Sequence, residues 1–106
     1  MSIFNLGSIN IDYIYTLPHL LAAGETLAST SFSAALGGKG ANQSIALARA
    51  GADVRHAGQL HEADTAWLGG LREAGVDCSH ILAADISSGH AVVAVDEQTA
   101  ENQIIL

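Results

Sequence analysis

The chain has 106 residues, of which 49% are hydrophobic, and this composition excludes a disordered chain and predicts a folded domain with a buried core. Its formal net charge of −7 argues against nucleic acid or an anionic membrane as the main partner and favours a small molecule. The only cysteine, Cys78, excludes an intrachain disulfide and a thiolate metal cluster. Without a signal-peptide pattern or a long apolar run, the sequence predicts a cytoplasmic protein.

The first apolar run, residues 3–11, predicts a strand with both faces buried in a parallel sheet. The alternation of a strand places Asn10 and Asp12 on one face near its far end. Asn10 can donate and accept hydrogen bonds, whereas ionised Asp12 only accepts them, so the pair suits the neighbouring hydroxyls of a polyol. A turn is the alternative interpretation, because Asn and Asp also cap and bend chains.

A glycine-rich loop with the sequence GGKGANQ, residues 37–43, leads into a predicted helix that Gly51 ends. Closely spaced glycines indicate positive φ angles or a backbone that something approaches closely, such as a ligand. The N–H groups and the dipole at a helix N-terminus favour oxygen-rich ligands. The loop is not a Walker A motif, because Ser33 and Gly40 stand where that motif has glycine and Ser/Thr. A tight strand-to-helix turn without a ligand is the alternative.

The remaining segments alternate between strands and helices, which predicts a right-handed βαβ unit. In such folds ligands collect at the carboxyl ends of the strands, so we expect Asn10, Asp12 and the glycine loop to meet there. The five histidines show no ligand spacing, and we predict no metal site. We predict strands at residues 13–17, 27–36, 54–58 and 81–82, helices at residues 41–50 and 63–74, and a terminal hairpin of residues 90–95 and 102–106.

Five motifs, in this order along the chain, resemble those of the ribokinase-like (PfkB-type) carbohydrate kinases. They are GSINID at residues 7–12, GET at 24–26, GGKGANQ at 37–43, SGHAVVAVD at 88–96 and EN at 101–102. The resemblance covers essentially the whole chain. It implies an α/β fold in which a central, mostly parallel sheet with flanking helices carries a small β-lid. It also implies an ATP-dependent kinase that acts on a sugar hydroxyl.

The resemblance further implies a domain organisation. Residues 1–106 would be the N-terminal part of a single ribokinase-like domain, truncated at its C-terminal side. The lid segments would lie near residues 13–17, 27–36 and 91–95. Lids of this kind exclude water from the reaction and can also join two copies of the protein. The resemblance therefore implies a homodimer that forms through the lid.

The resemblance also assigns site residues, position by position. Asn10 and Asp12 would hold the hydroxyls of a ribose-like sugar, and the backbone of Gly38 with the side chains of Lys39 and Asn42 would complete the sugar site. Ala91 and Val93 would add apolar contacts from the lid.

The catalytic machinery of the family is not recognisable in this chain. The family's nucleotide site, anion-stabilising motif and catalytic base lie well beyond the position of Leu106, so no catalytic residue is assigned here. ATP and Mg²⁺ are implied for the full-length family member, with their site outside this chain. Where relatives often carry a Gly-Asp-Asp turn, this chain has HEAD at residues 61–64, which departs from the family pattern.

Two other functions fit the same residues. The chain could be a non-catalytic polyol-binding or interaction module. Alternatively, its parent could be a nucleoside or fructose-type kinase of the same family, because an amide and a carboxylate specify a polyol without naming it.

Overall fold

The computed structural model describes residues 2–106 and divides them into two compact units. The first unit comprises the residues up to Ile11 together with Leu36–Gly89, and the second comprises Asp12–Ala35 and His90–Leu106. In chain order the elements are β1 (Ser2–Leu6), β2 (Asn10–Leu17), β3 (Ser31–Gly37), α1 (Lys39–Arg49), β4 (Asp53–His61), a 3₁₀ helix (Glu62–Leu68), α2 (Gly69–Glu73), β5 (Asp77–Ala84), β6 (Gly89–Asp96) and β7 (Asn102–Ile105).

The first unit contains a parallel sheet in the order β1-β4-β5. The helix α1 precedes β4 in the chain and so lies within the connection between the parallel neighbours β1 and β4. This arrangement confirms the predicted α/β fold with a parallel sheet and helices. The core of this unit consists of Ile9, Ala41, Val54, Leu60, Leu68, Leu71 and Val76.

Both helices of the first unit end on a glycine in the left-handed region. After α1, Gly51 has a φ of 100°, and the N–H of Ala52 donates to the carbonyl of Leu47 over 3.1 Å. Gly75 ends α2 in the same way, with a φ of 97°. These are Schellman motifs, in which glycine avoids the steric cost of a Cβ at positive φ. The predicted role of Gly51 is confirmed.

The predicted strand over residues 3–11 is wrong as a single element. β1 ends at Leu6 and β2 begins at Asn10, so Asn10 starts a strand instead of ending one. Residues 7–9 separate the two strands, and the backbone of Gly40 lies against Gly7, where a Cβ would be only 2.7 Å from the Gly40 Cα. The two strands join different sheets, which local alternation does not reveal.

The predicted helix over residues 63–74 is also divided. A 3₁₀ helix covers its first part and ends at Leu68, and α2 begins at Gly69. The change of helix type falls at the Gly69-Gly70 pair, where two residues of low helix propensity follow each other. No helix among residues 2–106 is long and apolar enough to cross a membrane.

The second unit is built on a sheet with the strand order β3-β2-β6-β7. Strands β6 and β7 pair antiparallel, with Val92 opposite Ile105, which confirms the predicted terminal hairpin. In its turn, Asp96 Oδ1 accepts the N–H groups of Gln98 and Thr99, and these hydrogen bonds lower the pKa of the Asp96 carboxyl. The turn is thus stabilised by its own carboxylate.

Candidate functional site

The glycine loop starts α1 at Lys39, and Gly38 occupies the N-cap position with a φ of 97°. No side chain caps the helix, and no acidic residue lies in its first turn. The N–H of Ala41 donates to the carbonyl of Ser8 over 3.0 Å. The N–H groups of Lys39 and Gly40 have no acceptor within α1, because the residues four positions before them lie outside the helix. This end of the helix therefore keeps a positive electrostatic potential.

Two glycines of the loop are explained by the chain's own backbone. A Cβ on Gly40 would overlap the backbone of Gly7 and Ser8, and a Cβ on Gly38 would lie 2.6 Å from the carbonyl oxygen of Ser8. The tight-turn interpretation thus accounts for Gly38 and Gly40. A ligand at this loop stays a prediction, and it is the chain segment at Ser8 that approaches the loop.

A buried hydrogen-bond network holds the backbone of the glycine loop in place. The carbonyl of Gly7 can only accept, so His56 donates to it from Nε2 over 3.0 Å. His56 Nδ1 then accepts from Ser44 Oγ over 2.7 Å, and Ser44 accepts from Asn5 Nδ2 over 2.9 Å. Asn5 Nδ2 also donates to the carbonyl of Gly40 over 3.0 Å. The network therefore ties both sides of the Gly7–Gly40 contact.

Sequence reasoning missed this network, because it considered the histidines only as metal ligands. His56 and Ser44 are both fully buried, at 0% exposure. A buried polar group without its partner costs about 1–3 kcal/mol, so the three side chains depend on one another. The sequence offered no local signal for it, because other polar residues stand beside Ser44 in α1 and beside His56 in β4.

Asn10 lies beside the loop at the start of β2. The Cβ that Gly38 lacks would stand 3.0 Å from the backbone N of Asn10, so the two residues are neighbours. The Asn10 side chain is half-buried and forms no hydrogen bond within residues 2–106. Its amide keeps both donor and acceptor capacity for a ligand.

The other polar residues of the predicted site are more exposed. Lys39 and Asn42, in the first turn of α1, both point into solvent, and Lys39 forms no salt bridge in the part of the chain that the structure describes. A free ammonium at a helix N-terminus adds to its positive potential. The first unit thus contains four of the predicted site residues: Asn10, Gly38, Lys39 and Asn42.

The remaining predicted residues belong to the second unit. Asp12 is half-buried on β2 and forms no hydrogen bond within residues 2–106. On β6, Ala91 is buried and Val93 is half-buried, and the two share a face because they are two residues apart in a strand. The residues that the sequence placed in one site are therefore distributed over both units.

Potential metal ligands among residues 2–106 do not cluster, and the Cys78 thiol is half-buried. Among residues 2–106, no three His, Cys, Asp or Glu side chains lie close enough to hold a metal ion. The Cys78 thiol is half-buried, and this burial raises its pKa, which disfavours the reactive thiolate.

Comparison with known proteins points to one family. The sequence pattern of the pfkB family carbohydrate kinases matches residues 2–106. Ribokinase from Haemophilus influenzae is 35% identical over 104 residues, which cover 95% of this chain and 34% of that protein.

Two solved structures resemble the fold closely. Ribokinase from Cryptococcus neoformans var. grubii serotype A in complex with ADP matches with a TM-score of 0.84 and 37% identity, covering 96% of this chain and 33% of that one. Arabidopsis thaliana ribokinase complexed with ribose and ATP matches with a TM-score of 0.83 and 28% identity, covering 96% and 34% respectively. The chain therefore spans about a third of the length of the relatives that it matches.

Proposed function

Because the chain belongs to the pfkB family of carbohydrate kinases, we propose that it binds the sugar substrate of an ATP-dependent kinase. The ribose-like class of sugar is inferred from the relatives, since one of them is complexed with ribose and ATP. The proposal concerns phosphoryl transfer to a sugar hydroxyl in the whole protein.

One observation carries the proposal, namely the set of open polar groups beside the glycine loop. The Asn10 amide has no hydrogen bond within residues 2–106, and it adjoins Gly38 at the start of α1. Lys39 and Asn42 extend from the first turn of the same helix into solvent. An amide, an ammonium and a helix N-terminus together match the donors and acceptors of a polyol.

The proposal extends to three residues of the second unit. Asp12 supplies a carboxylate that accepts hydrogen bonds from sugar hydroxyls, and Ala91 and Val93 supply apolar contact. In this role, strands β2, β3 and β6 act as the lid of the family. A lid increases the strength of the polar contacts beneath it by excluding water.

The nucleotide site is assigned to no residue of this chain. Phosphoryl transfer needs a base that takes the proton of the attacking hydroxyl, together with groups that stabilise the charge of the transferred phosphoryl. Mg²⁺ and ATP would supply part of that charge stabilisation and the phosphoryl group itself. No group of three metal-ligating side chains converges among residues 2–106, and we assign no cation site to them.

Titration of the 106-residue chain with D-ribose in a calorimeter tests the proposal. We expect saturable heat release without nucleotide, and weaker or no heat release with 1,4-butanediol, which lacks the adjacent hydroxyls. Asn10→Ala is the site variant, and Asn102→Ala, on the exposed strand β7, is the matched control. Equal affinity for ribose in the wild type and in Asn10→Ala would contradict the proposed sugar site.

We propose a homodimer through the second unit for a separate reason. A groove of about 310 Å³ is lined by apolar side chains of β2 and β6 and of the segment between β2 and β3. Because side chains alternate in a strand, Val92 lies on the face of β6 opposite Ala91 and Val93. The groove therefore leaves the proposed sugar face of β6 free. Its lining residues are Tyr15, Leu17, Leu21, Leu27, Ser29, Val92 and Ala94.

A charge in this groove should prevent dimer formation. Leu27→Asp would place a carboxylate among apolar side chains, where its desolvation is unfavourable. Sedimentation equilibrium should show a dimer for the wild type and a monomer for this variant, while Leu82→Asp, an exposed residue of the first unit, should remain dimeric. A monomeric wild type at all concentrations would refute the proposed dimer.

A further inference from the structure

Asn10 lies between two glycines of the first unit. Gly38 adjoins its backbone N, and a Cβ on Gly89 would overlap its side-chain oxygen, Oδ1. Gly38 has a positive φ, whereas Gly89 does not, so any residue could adopt the backbone conformation of Gly89. Position 89 therefore carries glycine because the Asn10 amide occupies the space that a side chain there would need.

The residue that precedes Gly89 is held firmly in place. Ser88 is buried, and its hydroxyl donates to Asp64 Oδ2 over 2.6 Å. The same hydroxyl oxygen accepts the N–H of His61 over 2.8 Å. Asp64 lies in the 3₁₀ helix and His61 at the end of β4, so one side chain connects the segment before β6 to two elements. These hydrogen bonds define the position at which the chain enters β6.

We propose that Gly89, held in place by Ser88 and Asp64, positions the Asn10 side chain for sugar binding. The inference rests on the proposed function, because it assigns positioning residues to that same site. A rigid support matters for Asn10, since its amide forms no hydrogen bond within residues 2–106 that would orient it. Contact with Gly89 orients the amide instead, because it limits the positions that Oδ1 can occupy.

The two glycines beside Asn10 differ in what an added side chain would displace. At Gly38 a Cβ would meet backbone atoms, which can move only together with the fold. At Gly89 it would meet Oδ1, the far end of a flexible side chain. Gly89→Ala should therefore displace the Asn10 amide at little cost in stability, and the effect should appear in sugar binding.

The experiment combines a measurement without sugar and a measurement with sugar on the 106-residue chain. In ¹⁵N–¹H spectra, the Asn10 side-chain amide peaks are assigned by their loss in Asn10→Ala. Gly89→Ala should shift these peaks and weaken D-ribose binding about tenfold or more, while the urea midpoint changes little. Gly69→Ala is the matched control, because a Cβ there meets nothing within 4 Å. It should leave both the peaks and the ribose affinity unchanged.

Variants of the supporting residues test the second part of the proposal. Asp64→Ala removes the acceptor of the Ser88 hydroxyl and should shift the Asn10 peaks in the same direction as Gly89→Ala. Asp64→Asn keeps a carbonyl oxygen for that hydroxyl and should restore the wild-type spectrum and ribose affinity. Identical behaviour of the two variants would refute a role for the Ser88–Asp64 hydrogen bond.

The two measurements also separate the two proposals. Unchanged Asn10 peaks in Gly89→Ala would overturn the positioning role, whatever the ribose affinity. Shifted peaks with unchanged ribose affinity would overturn it too, because the orientation of Asn10 would then not matter. If the wild-type chain bound no ribose while Gly89→Ala shifted the Asn10 peaks, the proposed function itself would fail and the positioning role for sugar would fail with it.

Discussion

Asp12→Ala is expected to weaken D-ribose binding by roughly 10- to 150-fold, which corresponds to about 1.5 to 3 kcal/mol for a charge-assisted hydrogen bond. The carboxylate of Asp12 forms no hydrogen bond within residues 2–106, so its removal breaks no internal contact of this kind. The substitution should therefore weaken the binding of the ligand. Calorimetry with D-ribose measures it directly. In a longer chain that contains these residues and phosphorylates ribose, the KM for ribose should rise by a similar factor.

Three comparisons make the Asp12 prediction specific. Asp85→Ala removes an exposed carboxylate of the first unit and should leave ribose affinity unchanged. Asp12→Asn keeps an acceptor oxygen without the charge and should fall between the wild type and Asp12→Ala. In the longer chain, the KM for ATP should stay constant. If the KM for ATP and the KM for ribose rose equally, the proposed contact between Asp12 and the sugar would be contradicted.

Gly40→Ala is expected to destabilise the fold by about 1–3 kcal/mol, the usual cost of overpacking. The added methyl group would overlap the backbone of Gly7 and Ser8, which cannot rotate away as a side chain could. The contact also lies next to the Asn5 hydrogen bond to the carbonyl of Gly40, so the buried network would be disturbed as well. A lower urea midpoint at an unchanged m-value would show this loss.

Gly69→Ala is the matched control for this prediction too. Position 69 has a helical φ of −53° and open space around it, so alanine should be neutral there or stabilise α2 by up to about 1 kcal/mol. If Gly40→Ala were as stable as Gly69→Ala but bound ribose poorly, Gly40 would make room for a ligand and the tight-turn explanation would be wrong.

Some elements could be predicted from the sequence and others could not. The C-terminal end of α1 and the terminal hairpin were predictable, because a C′ glycine and a polar turn between apolar runs act within a few residues, whereas α1 begins at Lys39 and not at the predicted residue 41. The single strand over residues 3–11 was wrong because β1 and β2 pair with distant strands in two different sheets. Local alternation carries no information about such long-range pairing.

In the candidate site, too, local motifs predicted some features and long-range contacts decided others. The motifs identified Asn10, Lys39 and Asn42 as polar residues near a glycine-rich helix start, and the structure places them in one unit. The motifs did not reveal why Gly38 and Gly89 are glycines. The answer is the approach of Ser8 in one case and of the Asn10 amide in the other.

By itself, the sequence determined the family, the α/β class and the types of residue at the glycine loop, because these depend on composition, periodicity and motif order. Only the tertiary structure decided which atoms face one another. The network of Asn5, Ser44 and His56 joins residues up to 51 positions apart, from β1 through α1 to β4, and no local pattern couples them. Packing brings such groups together, and a buried polar group must then find its partner there.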